Sequence, residues 1–195
     1  MSLFFETIRI ENGIPQHLHY HNLRLNRTIR ENFSLSPRYD LHDFLQVPPD
    51  AEKGTYRCKI CYDTEIREIT FTPYRRRNYR ALRILDADID YRYKSCDRSA
   101  LETLYNRRGD CDDVLIVKHG LLCDTTIANI ALYDGLRWYT PKTALLEGTT
   151  RARLLEEGLL QTADLTTEDL RNCTKFALMN AMTGFYQLKN ITFKF

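Results

Sequence analysis

Cys123-Asp124-Thr125-Thr126-Ile127-Ala128-Asn129-Ile130 places an acid immediately ahead of an apolar run that reads as a strand, Ile127 to Tyr133. An aspartate there is either turn chemistry, its side chain bonding the backbone two residues on, or a carboxylate delivered to a strand end for function. Asp134-Gly135 then makes a turn into a further strand, Arg137 to Thr140. Next comes Leu145-Leu146-Glu147-Gly148-Thr149-Thr150-Arg151, which leads into a helix over Ala152 to Glu157 with Gly158 as its stop. Thr166-Thr167-Glu168-Asp169 has the form of a capping box before another short helix, and Lys175 to Ala181 and Ile191 to Phe195 read as closing strands.

Upstream of the acid, Val114 to Lys118 is a strand that ends at the His119-Gly120 turn. A helix is expected from about Arg98 to Arg108, with Asp97 as N-cap and Gly109 as stop, just after Lys94 and a strand at Ala81 to Leu85. Nearer the start, Leu3 to Glu11 reads as a strand closed by the two-residue turn Asn12-Gly13. Leu18, Leu25, Ile29 and Phe33 then share one helical face, with Arg24 to the side of that stripe. A short helical stretch at Asp40 to Leu45 and strands at Thr55 to Asp63 and Glu65 to Thr72 follow. The proline-bounded basic segment after Pro73 lacks apolar periodicity, as connections between subdomains do. The expected division is a small N-terminal lobe over 1–73, a linker at 74–80 and a larger C-terminal lobe over 81–195. The fold class is α+β with mostly consecutive antiparallel strands.

Composition narrows the function classes. A formal net charge of +2 on 195 residues gives no reason to expect a nucleic-acid partner, although Arg75-Arg76-Arg77-Asn78-Tyr79-Arg80 forms a basic run. No apolar run approaches the ~18 residues that span a bilayer, and the first residues lack signal-peptide features, so a cytoplasmic protein without membrane contact is expected. The six cysteines are then expected as thiols. Cys58-Lys59-Ile60-Cys61 lies inside a strand pattern with no second ligand pair nearby, and no metal site is expected. His17, His19 and His21 would splay apart on a helix, which leaves His21 structural and the others at the surface.

Two further features could carry chemistry. Gly148-Thr149-Thr150 at a helix start offers backbone N–H groups, the positive helix end and two hydroxyls to a phosphate, or it merely caps the helix. Lys94 between a strand and a helix is either a solvated lysine or, drawn into a cavity, an amine able to lose its proton and form a Schiff base.

In order along the chain, these segments resemble the pyridoxal-phosphate enzymes of fold type IV, the class IV aminotransferase and aminodeoxychorismate lyase family. Phe5-Glu6-Thr7-Ile8-Arg9 is similar to the family's F-E-T-I-R strand and His21-Asn22-Leu23-Arg24-Leu25 to its H-x-x-R-L helix. Asp124 to Ile130 is similar to E-x-x-x-x-N-L/I, with aspartate in place of glutamate. Tyr139-Thr140-Pro141 and Leu146 to Arg151 resemble T-P and L-x-G-x-x-R.

The resemblance implies a two-lobed fold, a homodimer, and pyridoxal 5'-phosphate held on Lys94. It implies that Asp124 faces the pyridine nitrogen and that Arg24, Thr149, Thr150 and the Asn180-Ala181 backbone bind the phosphate. Arg9 and Arg98 are candidates for the carboxylates of a small anionic substrate. Lys94-Ser95-Cys96-Asp97-Arg98 is more similar to the lyase pattern K-x-x-N-R than to the aminotransferase pattern K-x-x-x-N-Y, and Ser99 stands in place of the aminotransferase tyrosine. The expected activity is therefore 4-amino-4-deoxychorismate lyase, which supplies 4-aminobenzoate for folate synthesis. A branched-chain or D-amino-acid aminotransferase is the alternative. A non-catalytic binder of a phosphate ligand or nucleic acid, suggested by the arginine run, is the third reading.

Overall fold

A computed structural model describes residues 2–36 and 38–195. The chain divides into two compact units: residues up to Arg76 with Tyr93–Asp97, and Arg77–Arg92 with Arg98–Phe195.

The first unit is built on an antiparallel sheet. Strand β1 (Phe4–Glu11) turns through Asn12 and Gly13, both at positive φ (48° and 80°), into the short β2 (Ile14–Pro15). Two left-handed residues in succession match the twist of a tight hairpin, which is why Asn-Gly stands there. The helix α1 (Leu18–Phe33) lays Leu25 and Ile29 on Ile8 and Ile10 of β1 and on Cys58, Ile60 and Tyr62 of β3 (Thr55–Tyr62). Each fully buried aliphatic side chain contributes about 1.5–3 kcal/mol, so this layer dominates the unit's stability. Strand β3 pairs with β1 from Phe4↔Tyr62 to Glu11↔Thr55, and β4 (Ile66–Pro73) pairs with its outer side, giving the order β2-β1-β3-β4. Three residues apart on a strand, Cys58 and Cys61 face opposite sides of the sheet and cannot chelate one ion together. Burial pushes the Cys58 thiol up to about 12. Asp40 caps the 3-10 turn Leu41–Asp43 by accepting from the His42 N–H.

The second unit packs two sheets on one core. One has the order β13-β5-β6-β7, from β5 (Ala81–Asp86), β6 (Asp113–Lys118), β7 (Leu121–Thr125) and β13 (Thr192–Lys194). The other has the order β10-β9-β8-β11-β12, from β8 (Asn129–Tyr133), β9 (Trp138–Pro141), β10 (Gln161–Ala163), β11 (Lys175–Asn180) and β12 (Gly184–Leu188). Leu82, Leu115 and Leu122 from the first sheet meet Ile130, Phe176 and Leu178 from the second. Helix α2 (Ser99–Asn106) covers the far side of β6 through Leu101 and Leu104, and α3 (Thr149–Glu156) inserts Leu154 against Ala131 and Ala177.

Several expectations need correction. The N-cap of α2 is Arg98, without a side-chain cap bond, while the Asp97 N–H donates to Ser95 Oγ at 3.1 Å. The apolar run read from Ile127 joins the sheet only at Asn129, because Thr125 Oγ1 accepts from the Ala128 N–H at 3.1 Å and folds residues 125–128 into a turn. Strands β7, β10 and β12 were not anticipated, and β5 pairs with β6 and β13 in parallel. The capping box at α4 (Thr167–Asn172) is formed as expected, with Thr166 and Asp169 bonding reciprocally.

Candidate functional site

In the second unit the candidate site grows from the end of β7. Asp124 is only 4% exposed, and both its oxygens are engaged: Oδ1 accepts from Asn129 Nδ2 at 2.8 Å and Oδ2 from the Leu146 N–H at 3.0 Å. Burial pushes its carboxyl up to about 6, against the opposing pull of these hydrogen bonds and of the Arg151 charge. This is a carboxyl near its protonation midpoint in the mildly acidic range, held in one orientation.

Asn129 ties that carboxyl to a helix start. Its Nδ2 also donates to the Leu146 carbonyl at 2.8 Å, and its Oδ1 lies against the α-carbon of Gly148, the N-cap of α3. Gly148 itself brings no side chain to the cap, so the first N–H groups of α3 and the buried hydroxyls of Thr149 and Thr150 are not consumed by a capping side chain. Arg151 follows, 7% exposed, donating Nη2 to the Pro141 carbonyl at 2.8 Å while its buried Nε has no hydrogen-bond partner. On β9, Thr140 is fully buried and donates to the Ile130 carbonyl.

The loop after Asp124 is pinned from two sides. Thr126 Oγ1 donates to the buried Asp113 at 2.6 Å, and Arg98 gives Nη2 to the Thr126 carbonyl at 2.8 Å and Nη1 to Tyr91 Oη at 3.0 Å. Asn180 organises the turn from β11 to β12, its Oδ1 accepting from the N–H groups of Met182 and Thr183, both at 2.9 Å. Its Nδ2 reaches the Ile127 carbonyl at 3.4 Å, which sets the Asn180-Ala181 turn against the same loop.

In the first unit, Lys94 lies on the free edge of β1. The Phe5 N–H donates to the Lys94 carbonyl at 2.9 Å, the Cys96 N–H to the Leu3 carbonyl at 2.8 Å, and Ser95 bridges to Phe4. The half-buried Lys94 side chain brings Nζ to 4.6 Å from the centre of the Phe5 ring. Arg24 is not lateral to the buried stripe of α1 but part of it, 7% exposed and bonded to the fully buried Glu6 through Nε (2.8 Å) and Nη2 (2.5 Å). His21 Nδ1 meets the same carboxylate at 2.6 Å. Burial would raise the Glu6 carboxyl, but Arg24 and then His21 overcome it and hold Glu6 at about 2. Burial drives His21 below its ordinary value despite Glu6, so the contact is a hydrogen bond from neutral imidazole rather than a second ion pair. Arg9, half-exposed on β1, pairs with Glu11 at 2.6 Å.

Sequence reasoning placed Asp124, Thr149, Thr150 and Asn180 on what prove to be neighbouring segments of one unit, and Lys94 and Arg24 in the other. It missed the linking role of Asn129 and the Glu6 partner of Arg24. For the second, the sequence carries one signal: Glu6 shares its face of β1 with Ile8 and Ile10, the face α1 covers, which marks it as buried without naming its partner.

Residues 3–191 match the family described as amino-transferase class IV. The chain belongs to the class IV aminotransferases. As a member of that family it is a pyridoxal-phosphate-dependent enzyme. A class IV chain of known structure, a provisionally named 4-amino-4-deoxychorismate lyase from Haemophilus somnus, is 31% identical with a TM-score of 0.86, over 94% of this chain and 98% of that one. An uncharacterised Haemophilus influenzae protein is 38% identical over 183 residues, 92% of this chain and 97% of its own. A provisionally named amino-acid aminotransferase from Mesorhizobium loti, 23% identical, shares the fold with a TM-score of 0.83 over 97% of this chain and 99% of its own.

The residues present fit the family's cofactor. The second unit offers a buried carboxyl suited to a ring nitrogen, and N–H groups and hydroxyls at a helix start suited to a phosphate, with the orphaned Arg151 Nε beside them in sequence. The first unit offers the Lys94 amine against an aromatic ring.

Proposed function

We propose that this class IV enzyme is a 4-amino-4-deoxychorismate lyase, releasing pyruvate and forming 4-aminobenzoate for folate synthesis. The observation that carries the reading is the frame in which Asn129 joins the Asp124 carboxyl to the start of α3. A protonatable group fixed relative to an anion seat suits a rigid ring that bears a basic nitrogen and a phosphate. For the lyase in particular, support comes from the Lys94 to Arg98 pattern, from Ser99, and from the name carried by the relative that is 31% identical.

When bound, pyridoxal phosphate supplies an electron sink for the bond-breaking steps. Lys94 would be the residue that holds it, and the Lys94 Nζ would serve as the base that takes the proton from the ring carbon bearing nitrogen and as the acid that gives one to the departing group. Asp124 would face the cofactor's ring nitrogen and, as a carboxylate, hold a proton on it, with the two donors fixing its oxygens in place. Arg24, Thr149, Thr150 and the Asn180-Ala181 backbone bind the phosphate, with Glu6 holding the Arg24 guanidinium in plane. Arg9 and Arg98 serve the substrate carboxylates, Arg98 also clamping the loop after Asp124. The working form in this reading is a cytoplasmic homodimer.

The test is pyruvate release from 4-amino-4-deoxychorismate by protein supplied with pyridoxal phosphate and no keto acid. Release supports the lyase. Turnover that requires a keto acid acceptor assigns the chain to the aminotransferases instead.

A further inference from the structure

On β1, Phe5, Thr7 and Arg9 face away from α1, and the register with β3 puts Cys61 beside Phe5 and Lys59 beside Thr7 on the same side. Lys94 approaches from the other edge of β1, where its carbonyl takes the Phe5 N–H. Two ammonium groups thus converge on one phenyl ring from neighbouring segments, Lys94 Nζ at 4.6 Å from its centre and Lys59 Nζ at 5.3 Å. They are no farther apart than the sum of those distances.

Lys59 is half-buried, and among the described residues no carboxylate lies within ion-pairing distance of it. Its neighbours on this face are Arg57, which donates to Thr72, Arg9, which also meets Glu11, and the exposed Glu68, which pairs across from Cys61. A ring face offers an ammonium attraction but no hydrogen-bond acceptor of full strength, so a partly desolvated ammonium held there gains most from an incoming anion.

We propose that Lys59 receives a carboxylate of the substrate and makes the enzyme select amines that carry an additional anionic group. The assignment rests on the reading of Lys94 as the lysine that holds the cofactor, because the substrate's amine then reacts where Lys94 Nζ stands, one ring away from Lys59. Lys59 is a specificity-determining residue in this account and takes no part in proton transfer.

The experiment measures binding of isophthalate, an unreactive dicarboxylate, by calorimetry to the full chain loaded with pyridoxal phosphate, comparing wild type with Lys59→Met, Lys59→Arg and the exposed-site control Lys53→Met. Loss of one charge-assisted contact predicts affinity weakened on the order of tenfold to a hundredfold in Lys59→Met, with Lys59→Arg and Lys53→Met near wild type. For turnover of a dicarboxylate amine, Lys59→Met raises KM by a similar factor with little change in kcat. Wild type that fails to bind isophthalate, or Lys59→Met that binds it equally well, overturns the proposal. The visible absorption of the loaded wild type is recorded in the same samples. Its absence sinks the cofactor reading, while the isophthalate comparison decides the role of Lys59 by itself.

Discussion

Gly148 and Asn129 touch so closely that a β-carbon on Gly148 would lie 2.0 Å from Asn129 Oδ1. The glycine is not there for its backbone freedom, since its φ of −69° suits any residue. It is there because the Asn129 amide, which holds the Asp124 carboxyl and the Leu146 carbonyl with one nitrogen, occupies the space a side chain would need.

Gly148→Ala is therefore expected to push the Asn129 amide off its partners and destabilise the fold by about 1–3 kcal/mol, the cost of leaving buried polar groups unpaired. In an Asn129→Ala background the same change meets no amide and costs much less. A double-mutant cycle by urea unfolding measures this coupling, and additive effects would contradict it.

Asp124 makes stability depend on pH in the opposite sense to most carboxylates. Its folded value, about 6, lies above the ordinary aspartate value of 3.8, so the folded state holds its proton more tightly. Stability from this group is complete below the unfolded value and falls as pH rises through the window to about 6. The loss comes to about 3 kcal/mol. Asp124→Asn removes the dependence, so the variant gains on wild type in urea midpoint between about pH 4 and pH 6, while cofactor-dependent turnover collapses. Parallel stability profiles for the two proteins would refute the assignment.

Glu6 works the other way. Its folded value of about 2 lies below the ordinary glutamate value of 4.5, so its contribution is present above the unfolded value and disappears as pH falls towards 2. Glu6→Gln leaves the buried Arg24 charge uncompensated and is expected to cost about 3–5 kcal/mol at neutral pH. The same variant weakens pyridoxal phosphate far more than pyridoxal, because only the former carries the phosphate assigned to Arg24. Equal weakening of both would remove Arg24 from the phosphate site.

The elements that could be read from sequence were those whose local chemistry agrees with their final environment. Asn12-Gly13 demands a hairpin whatever surrounds it, and Thr166 with Asp169 caps α4 by contacts confined to four residues. Strand β7 escaped notice because Leu122 to Thr125 are buried on both faces, which erases the alternation that marks a half-buried strand. Strand β12 is short and begins at Gly184, where φ is +64°, a turn residue by its local signal. The candidate site divides in the same way. Asp124, Gly148 and Lys94 could be singled out by type and position, but the bond from Asn129 to Leu146 and the pairing of Glu6 with Arg24 join residues far apart in the chain. No local pattern announces such pairs.

The most direct test of the account is the visible absorption spectrum of the protein mixed with pyridoxal phosphate, recorded for wild type and for Lys94→Ala. Wild type is expected to show a band, shifted from that of free cofactor, that vanishes in the variant. A band that persists in Lys94→Ala, or none in wild type, would contradict it.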